Sequence, residues 1–307
     1  MNSVDDKICS LLQEMTLEEK IGQMSQVNGG GWDLHQAIRA GQIGSVLNEV
    51  NVEEVNELQR LAVQESRLGI PLLIGRDVIH GFKTIFPIPL GQAASWDPGI
   101  VEQGAAIAAA EAASAGVNWT FAPMIDITRD PRWGRIAESL GEDPYLCGQL
   151  GAAMVRGFQG QRLSEKRSIA ACAKHFVGYG AVEGGLDYNT ANIPENELRN
   201  VYLPPFKQAL DAGVATFMSS FSDLNGVPAA GNEFLMRQIL REEWNFDGFV
   251  VSDWDAIREL TVHVFSANDR EAVLEAINAG INMEMASSLY KEHMSSLIDE
   301  GRIDEQA

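Results

Sequence analysis

The hydrophobic positions of the chain fall into short apolar runs separated by longer amphipathic stretches. Short runs with no polar alternation are typical of parallel strands that are buried on both faces. Residues 24–27 form a weaker run of the same kind. The clear runs are residues 44–47, 71–74, 117–122, 169–173, 215–219, 248–251 and 281–285.

Most stretches between these runs have the apolar spacing of amphipathic helices. Residues 52–67 repeat their apolar positions at helical spacing, and Thr16 with Glu19 forms the pattern of a capping box that begins another helix. The other predicted helices are residues 99–115, 145–158, 195–212, 233–244 and 270–279.

Seven or eight buried strands that alternate with helices over about 250 residues predict a parallel (β/α)8 TIM-like barrel of the α/β class. The chain has 307 residues, of which 45% are hydrophobic, enough to bury one large core. We assign residues 1–285 to the barrel and residues 286–307 to a helix that leaves it.

The charge balance limits the partners that the protein can bind. With 43 acidic and 23 basic residues the net charge is −20 at pH 7. Such a charge opposes binding to nucleic acid and to anionic membranes, and it favours a neutral small-molecule substrate.

The three cysteines are too few and too far apart for a disulfide framework, and no apolar run has the length of a membrane span. Charged residues occur from the start of the chain, so the sequence as given shows no signal peptide. We therefore expect a cytoplasmic protein, or a periplasmic or secreted one if a signal peptide has been removed.

Charged residues follow four of the predicted strands. Asp77 follows residues 71–74, Arg135 lies in the long loop after residues 117–122, Lys174 and His175 follow residues 169–173, and Asp253 follows residues 248–251. In a parallel barrel these positions share one rim, where ionisable groups usually serve binding or proton chemistry. Any one of them alone is equally well explained as an exposed loop charge or a helix cap.

The residue types restrict the chemistry at this rim. The five histidines lack the spacing of a metal site, and no serine lies in a Gly-x-Ser-x-Gly sequence. We therefore predict no metal and no cofactor. What remains is carboxylate chemistry on a polyhydroxylated neutral ligand, and a sugar fits that description. Trp254 is placed to stack on a sugar ring, although a Trp after a strand is at least as often explained by packing. Met218 could line the pocket, but a Met that ends a barrel strand more often packs in the core.

Several motifs, in order along nearly the whole chain, resemble glycoside hydrolase family 3. They are Thr16 to Met24, Asp77-Val78-Ile79-His80-Gly81, Arg129 to Arg135 with Glu138 and Gly141 to Pro144, Lys174-His175-Phe176, Asn225 to Pro228 and Gly248 to Trp254. The resemblance implies that Asp253 is the nucleophile of a retaining glycosidase. It also implies that Asp77 binds two sugar hydroxyls, and that Arg135, Lys174 and His175 bind the others.

The resemblance also separates two branches of the family. The β-N-acetylglucosaminidase branch has a histidine in the loop after Lys-His-Phe. In this chain the loop is Val177-Gly178-Tyr179-Gly180, which contains no histidine. The chain is therefore more similar to the β-glucosidase branch, in which a glutamate from a second α/β sandwich domain is the acid/base. That domain is expected beyond residue 307. Phe221 also differs from the tyrosine that many relatives have beside the nucleophile.

These features predict an exo-acting, retaining β-glucosidase that removes terminal β-D-glucosyl residues from β-glucosides or oligosaccharides. We expect Lys174 and Arg135 to lower the pKa of Asp253 and so keep it ionised. Two alternatives stay open: a β-N-acetylhexosaminidase, and a sugar-binding fragment that has no turnover.

Overall fold

A computed structural model describes residues 4–29 and 32–305 of the chain. Its centre is a sheet of eight parallel strands in the order β4-β3-β2-β1-β10-β9-β6-β5. The strands are β1 (Ser25–Asn28), β2 (Ser45–Leu47), β3 (Leu73–Arg76), β4 (Trp119–Thr120), β5 (Cys172–Phe176), β6 (Thr216–Ser219), β9 (Phe249–Trp254) and β10 (Met283–Met285). A separate antiparallel hairpin consists of β7 (Asp223–Leu224) and β8 (Val227–Pro228).

The two ends of the eight-stranded sheet meet, so the sheet forms a barrel. The N–H of Thr120 donates to the carbonyl of Ala170 at 2.8 Å, and the N–H of Cys172 donates to the carbonyl of Ala122 at 2.9 Å. Parallel bridges join Trp119 to Ala170 and Met124 to Lys174. The predicted parallel barrel is therefore confirmed, including the weaker strand at residues 24–27.

Helices surround the barrel. They are α1 (Val4–Glu14), α2 (Leu17–Gln23), α3 (Trp32–Arg39), α4 (Val52–Arg60), α5 (Pro89–Ala93), α6 (Pro98–Ser114), α7 (Pro144–Gln159), α8 (Glu195–Glu197), α9 (Leu203–Asp211), α10 (Ala256–Val262), α11 (Asp269–Ala279) and α12 (Leu289–Asp299). The predicted capping box begins α2, with both Thr16–Glu19 hydrogen bonds present. None of the helices in the described ranges is long and apolar enough to cross a membrane.

Three helical segments have π geometry and interrupt or replace predicted α-helices. They are Leu61–Glu65, Leu198–Tyr202 and Phe234–Glu243. The second lies directly before a helix that contains Pro204 and Pro205, which have no N–H to donate. The widened turn accommodates that gap in the hydrogen-bond ladder.

The inside of the barrel is filled by side chains from the strands. The interior cluster consists of Leu47, Trp119, Phe121, Cys172, Met218, Val251, Met283 and Met285, all buried. The indole N–H of Trp119 donates to Oγ1 of Thr216 at 2.9 Å, so its polar atom is satisfied inside the barrel. The inside of the barrel is therefore a packed core.

Candidate active site

The charged residues predicted from the strand ends come together at the C-terminal rim of the barrel. Nζ of Lys174 lies 2.7 Å from Oδ1 of Asp77. On the other side, Nε2 of His175 lies 3.2 Å from Nη2 of Arg135 and 3.3 Å from Oδ2 of Asp253. Lys174 and His175 are neighbours on β5, so they join the two groups of contacts into one site.

Asp253 lies on β9, the longest barrel strand, and is 7% exposed. Its Oδ1 accepts the N–H of Trp254 at 2.6 Å. Its Oδ2 has no hydrogen-bond partner among the described residues. One carboxylate oxygen is thus held by the backbone while the other is left free to react.

Burial raises the pKa of Asp253 to about 6, although the charges of Lys174 and Arg135 act in the opposite direction. Our expectation that these cations would produce a lowered pKa was therefore wrong, because the loss of hydration outweighs their attraction. At pH 7 a group with a pKa near 6 is still roughly nine-tenths ionised. The ionised form of Asp253 therefore predominates at pH 7.

Lys174 is charged in spite of its burial. Its side chain is 5% exposed, which disfavours the charge, but the nearby carboxylates of Asp77 and Asp253 outweigh this and raise its pKa. Asp77 itself is about half exposed, and its contact with Lys174 is made through Oδ1. The pair can therefore offer both a donor and an acceptor to a ligand.

Arg135 is fixed by contacts on two sides. Its guanidinium donates to both oxygens of Glu138, at 2.8 and 3.0 Å, and lies 5.5 Å from the ring centre of Tyr179. The hydroxyl of Tyr179 donates in turn to Asp187 at 2.6 Å. These contacts hold the long loop after β4 against the loop after β5.

The sequence analysis missed Asp126, which lies beneath His175. Its side chain is fully buried, and its Oδ2 accepts both the main-chain N–H of His175 at 3.0 Å and a hydrogen bond from Nδ1 of His175 at 2.8 Å. Burial raises the pKa of Asp126 to about 7, opposed first by the bond from the His175 N–H. The sequence did offer one indication of this role: Asp126 is a single acid within the apolar stretch after residue 122. An acid in such a stretch is seldom buried without a partner.

His175 is neutral in this environment. It is completely buried, and burial together with the charges of Arg135 and Lys174 holds its pKa well below the ordinary value. It therefore acts through hydrogen bonds and not as a cation.

The remaining candidates lie in different settings. Trp254 is 45% exposed beside Asp253, as a stacking surface requires, whereas Met218 is buried in the interior cluster below the rim. Phe221 is buried and packs against the ring of Tyr188, with 4.5 Å between ring centres.

A cleft of about 640 Å³ opens beside Asp77. Arg76, His80 and Glu138 contribute polar atoms to its wall, and Phe82, Ile85 and Ile88 contribute apolar surface. Asp253, Lys174 and His175 are not on this wall, but Asp77 is, and its ion pair with Lys174 links the cleft to them.

Two chemical features follow from this geometry. Across the described ranges, no group of three His, Cys, Asp or Glu side chains is arranged to hold a metal ion. Three other carboxylates contact the basic residues that surround Asp253. Asp77 contacts Lys174, Glu138 contacts Arg135 and Asp126 contacts His175. Among the described residues, two buried carboxylate oxygens of the site have no hydrogen-bond partner, Oδ2 of Asp253 and Oδ1 of Asp126.

Comparison with protein families matches residues 16–307 to the glycosyl hydrolase family 3 N terminal domain. Among curated proteins, the chain is 42% identical over 303 residues to a periplasmic beta-glucosidase of Salmonella typhimurium. This alignment covers 97% of the chain and 40% of that protein. It is also 34% identical to a lysosomal beta glucosidase of Dictyostelium discoideum, in an alignment that covers 93% of the chain and 40% of that protein.

Solved structures give the same picture. The chain superposes on a beta-glucosidase from Listeria innocua in complex with glucose, with a TM-score of 0.94, 39% identity and coverage of 99% of the chain and 45% of that structure. A mutant of the Listeria enzyme in complex with laminaribiose matches with the same TM-score of 0.94. The chain therefore spans less than half the length of the relatives it matches.

Proposed function

The chain belongs to glycoside hydrolase family 3, and from this membership we propose that it carries the nucleophile of a retaining, exo-acting β-glucosidase. The observation that carries the proposal is the buried carboxylate of Asp253. One of its oxygens is held by the N–H of Trp254, while Oδ2 has no partner in the described part of the chain.

The reaction proceeds by two displacements. Oδ2 of Asp253 attacks the anomeric carbon, the bond to the leaving oxygen breaks, and an acid donates a proton to that oxygen. The glucosyl group is then bound covalently to Asp253. A water molecule, deprotonated by the same acid/base residue, attacks the anomeric carbon, restores the carboxylate and releases glucose with its original configuration.

The neighbouring charged groups bind the hydroxyls of the terminal sugar. Asp77 accepts hydrogen bonds from two of them, while Lys174 and Arg135 donate to others and His175 completes the set. Trp254, exposed next to Asp253, offers an apolar face to the ring. A glucosyl substrate is supported by the names of the relatives and by the glucose and laminaribiose found in matching structures.

The acid/base residue comes from a second domain in this proposal. A retaining enzyme needs two carboxyl groups about 5–5.5 Å apart. Each carboxylate linked to Asp253 in the described structure already has a cationic or histidine partner, so none is an obvious proton donor. The greater length of the relatives leaves room for a glutamate on another domain.

The substrate is tested by comparing two aryl glycosides. We expect the protein, as its gene encodes it, to hydrolyse an aryl β-glucoside and to leave an aryl N-acetyl-β-glucosaminide nearly untouched. NMR of the first product should show β-glucose before mutarotation. Faster turnover of the N-acetyl substrate would favour the hexosaminidase, α-glucose would exclude retention, and binding of glucose without turnover of either would favour a sugar-binding module.

The pH dependence of kcat/KM reports the ionisation of Asp253 in the free enzyme. The nucleophile must be ionised, and burial raises its pKa to about 6. We therefore expect kcat/KM to fall about tenfold per pH unit below that value, and to level off above it until the acid/base residue loses its proton. A rate that stays constant down to about pH 4 would place the pKa of the nucleophile near its ordinary value and contradict this assignment.

The names of the relatives also bear on localisation. One is described as periplasmic and another as lysosomal, both compartments reached by export from the cytoplasm. These names support the expectation of a periplasmic or secreted protein over that of a cytoplasmic one.

A further inference from the structure

Asp126 makes its closest contacts to His175 and has no part in the two displacements described above. It lies in the segment after β4, and its side chain is fully buried. A single oxygen, Oδ2, accepts two hydrogen bonds from His175, one from the main-chain N–H and one from Nδ1. This double contact ties both the backbone and the ring of His175 to one carboxylate.

The contact determines which ring nitrogen of His175 carries the hydrogen. The main-chain N–H is always a donor, so Oδ2 of Asp126 acts as an acceptor. Nδ1 lies 2.8 Å from the same oxygen and donates its hydrogen to it, because the other ring nitrogen, Nε2, lies against the guanidinium of Arg135, which can only donate. In a neutral ring the other nitrogen, Nε2, is left with a lone pair, and it accepts a hydrogen bond from Nη2 of Arg135 at 3.2 Å.

This tautomer has a consequence for the nucleophile. Nε2 of His175 lies 3.3 Å from Oδ2 of Asp253, yet no hydrogen bond joins them. A lone pair on Nε2 cannot donate to a carboxylate oxygen. The opposite tautomer would place an N–H on the nitrogen that lies 3.3 Å from the oxygen that has to attack the sugar.

We propose that Asp126 is a positioning residue that fixes His175 in its Nδ1–H tautomer and thereby keeps Oδ2 of Asp253 free of a protein donor. The inference rests on the proposed function, because it assigns Oδ2 as the attacking atom. A carboxylate oxygen that accepts a strong hydrogen bond is a weaker nucleophile, since the bond stabilises its charge before the attack.

The groups that face Asp253 come from three segments of the barrel besides β9. A shift in its titration has to be interpreted against all of them. They are Asp77 after β3, Arg135 after β4, and Cys172, Lys174, His175 and Tyr188 on or after β5.

The experiment compares two replacements of Asp126 in the protein as its gene encodes it. Asp126→Leu keeps the branched shape but has no acceptor for Nδ1–H. Asp126→Asn also removes the charge, yet its amide oxygen can accept both hydrogen bonds from His175. A matched control is Glu284→Gln, since Glu284 is another fully buried carboxylate, whose partners are Ser25, Ser287 and the N–H of Tyr290.

The first readout is the tautomer of His175, measured by NMR of protein labelled with ¹⁵N-histidine. We expect Nδ1–H in the native protein, in Asp126→Asn and in Glu284→Gln, and a shift towards Nε2–H in Asp126→Leu. If Leu does not fold, Asp126→Ala takes its place. Nε2–H in the native protein, or an unchanged tautomer in a folded variant without an acceptor, would overturn the inference whether or not the protein is a glycosidase.

The second readout is the rate on an aryl β-glucoside. We expect Asp126→Leu to lose about 10- to 100-fold in kcat/KM, the effect of one or two hydrogen bonds, while Asp126→Asn stays within a few-fold of the native rate. The acid limb of the kcat/KM profile should lie at lower pH in Asp126→Leu than in Asp126→Asn. The reason is that the Nε2–H of His175 in the Leu variant stabilises the ionised form of Asp253. Equal losses in Leu and Asn with equal acid limbs would show a structural role only and would contradict the proposal. An inactive native protein would instead contradict the proposed function and leave the tautomer result to stand by itself.

Discussion

Replacing Asp253 with glycine is expected to reduce turnover of a β-glucoside on the order of 10⁴-fold or more, as removal of a nucleophile does in other enzymes. Neighbouring groups have no free carboxylate to offer instead, since Asp77 and Glu138 are held by Lys174 and Arg135. In the proposed mechanism the covalent intermediate cannot form without Asp253.

The fold should tolerate this change. Because burial raises the pKa of Asp253 to about 6, its ionised form destabilises the folded protein. The sign follows from linkage: a raised folded-state pKa favours folding below the ordinary pKa, and that contribution is lost as the pH rises through about 6. At pH 7 the glycine variant should therefore unfold at a temperature similar to or above that of the native protein, provided the added backbone freedom is small.

The measurement combines kcat on an aryl glucoside with thermal unfolding, and Asp247→Ala serves as the control. Asp247 is an exposed acid just before the other end of β9, so its loss should leave kcat unchanged. Added azide can enter the space vacated in Asp253→Gly and attack from the same face, so it should restore turnover of an activated substrate and yield the α-glucosyl azide. A glycine variant that kept more than a small residual rate without azide would show that another residue is the nucleophile.

The sequence predicted the barrel because its strands are buried on both faces and stand out as unbroken apolar runs. It predicted strand ends less well. Of residues 117–122 only Trp119–Thr120 is a strand, although Phe121 still donates to the carbonyl of Arg76 on β3 and Ala122 accepts from Cys172 on β5. Where the regular pairing of a strand ends depends on its neighbours in the barrel, which the local apolar pattern does not show.

The same contrast applies to the site. Asp77, Lys174 and Asp253 were predictable because each comes at the end of a strand, where the topology brings it to the rim. Asp126 was not, since its role depends on a contact with His175, 49 residues further along. The direction of the pKa shift of Asp253 was also out of reach, because a sequence shows the neighbouring cations but not the loss of hydration that outweighs them.

The second large effect concerns the proton donor, which we propose lies on a second domain. We expect residues 1–307, expressed alone and folded, to hydrolyse an unactivated glucose disaccharide about 10²- to 10⁴-fold more slowly than the same chain joined to a second domain with the acid/base residue. The alkoxide of a sugar leaves only if it receives a proton as the bond breaks. An aryl leaving group such as 2,4-dinitrophenolate needs no proton, so for that substrate the two proteins should differ far less in the first displacement.

A comparison of the two substrates therefore separates loss of the acid from loss of the fold. Damage to the site around Asp253 would slow both substrates alike, whereas absence of the acid slows the disaccharide selectively. A burst of dinitrophenolate from the isolated chain would show that Asp253 carries out the first displacement. It would also show that the glucosyl ester accumulates because no base activates the water that hydrolyses it. Equal disaccharide rates for the isolated chain and the longer protein would mean that the acid/base lies within these residues. Asp187, an exposed acid on the loop after β5 that accepts hydrogen bonds from Tyr179 and Trp133, would then be the first residue to replace.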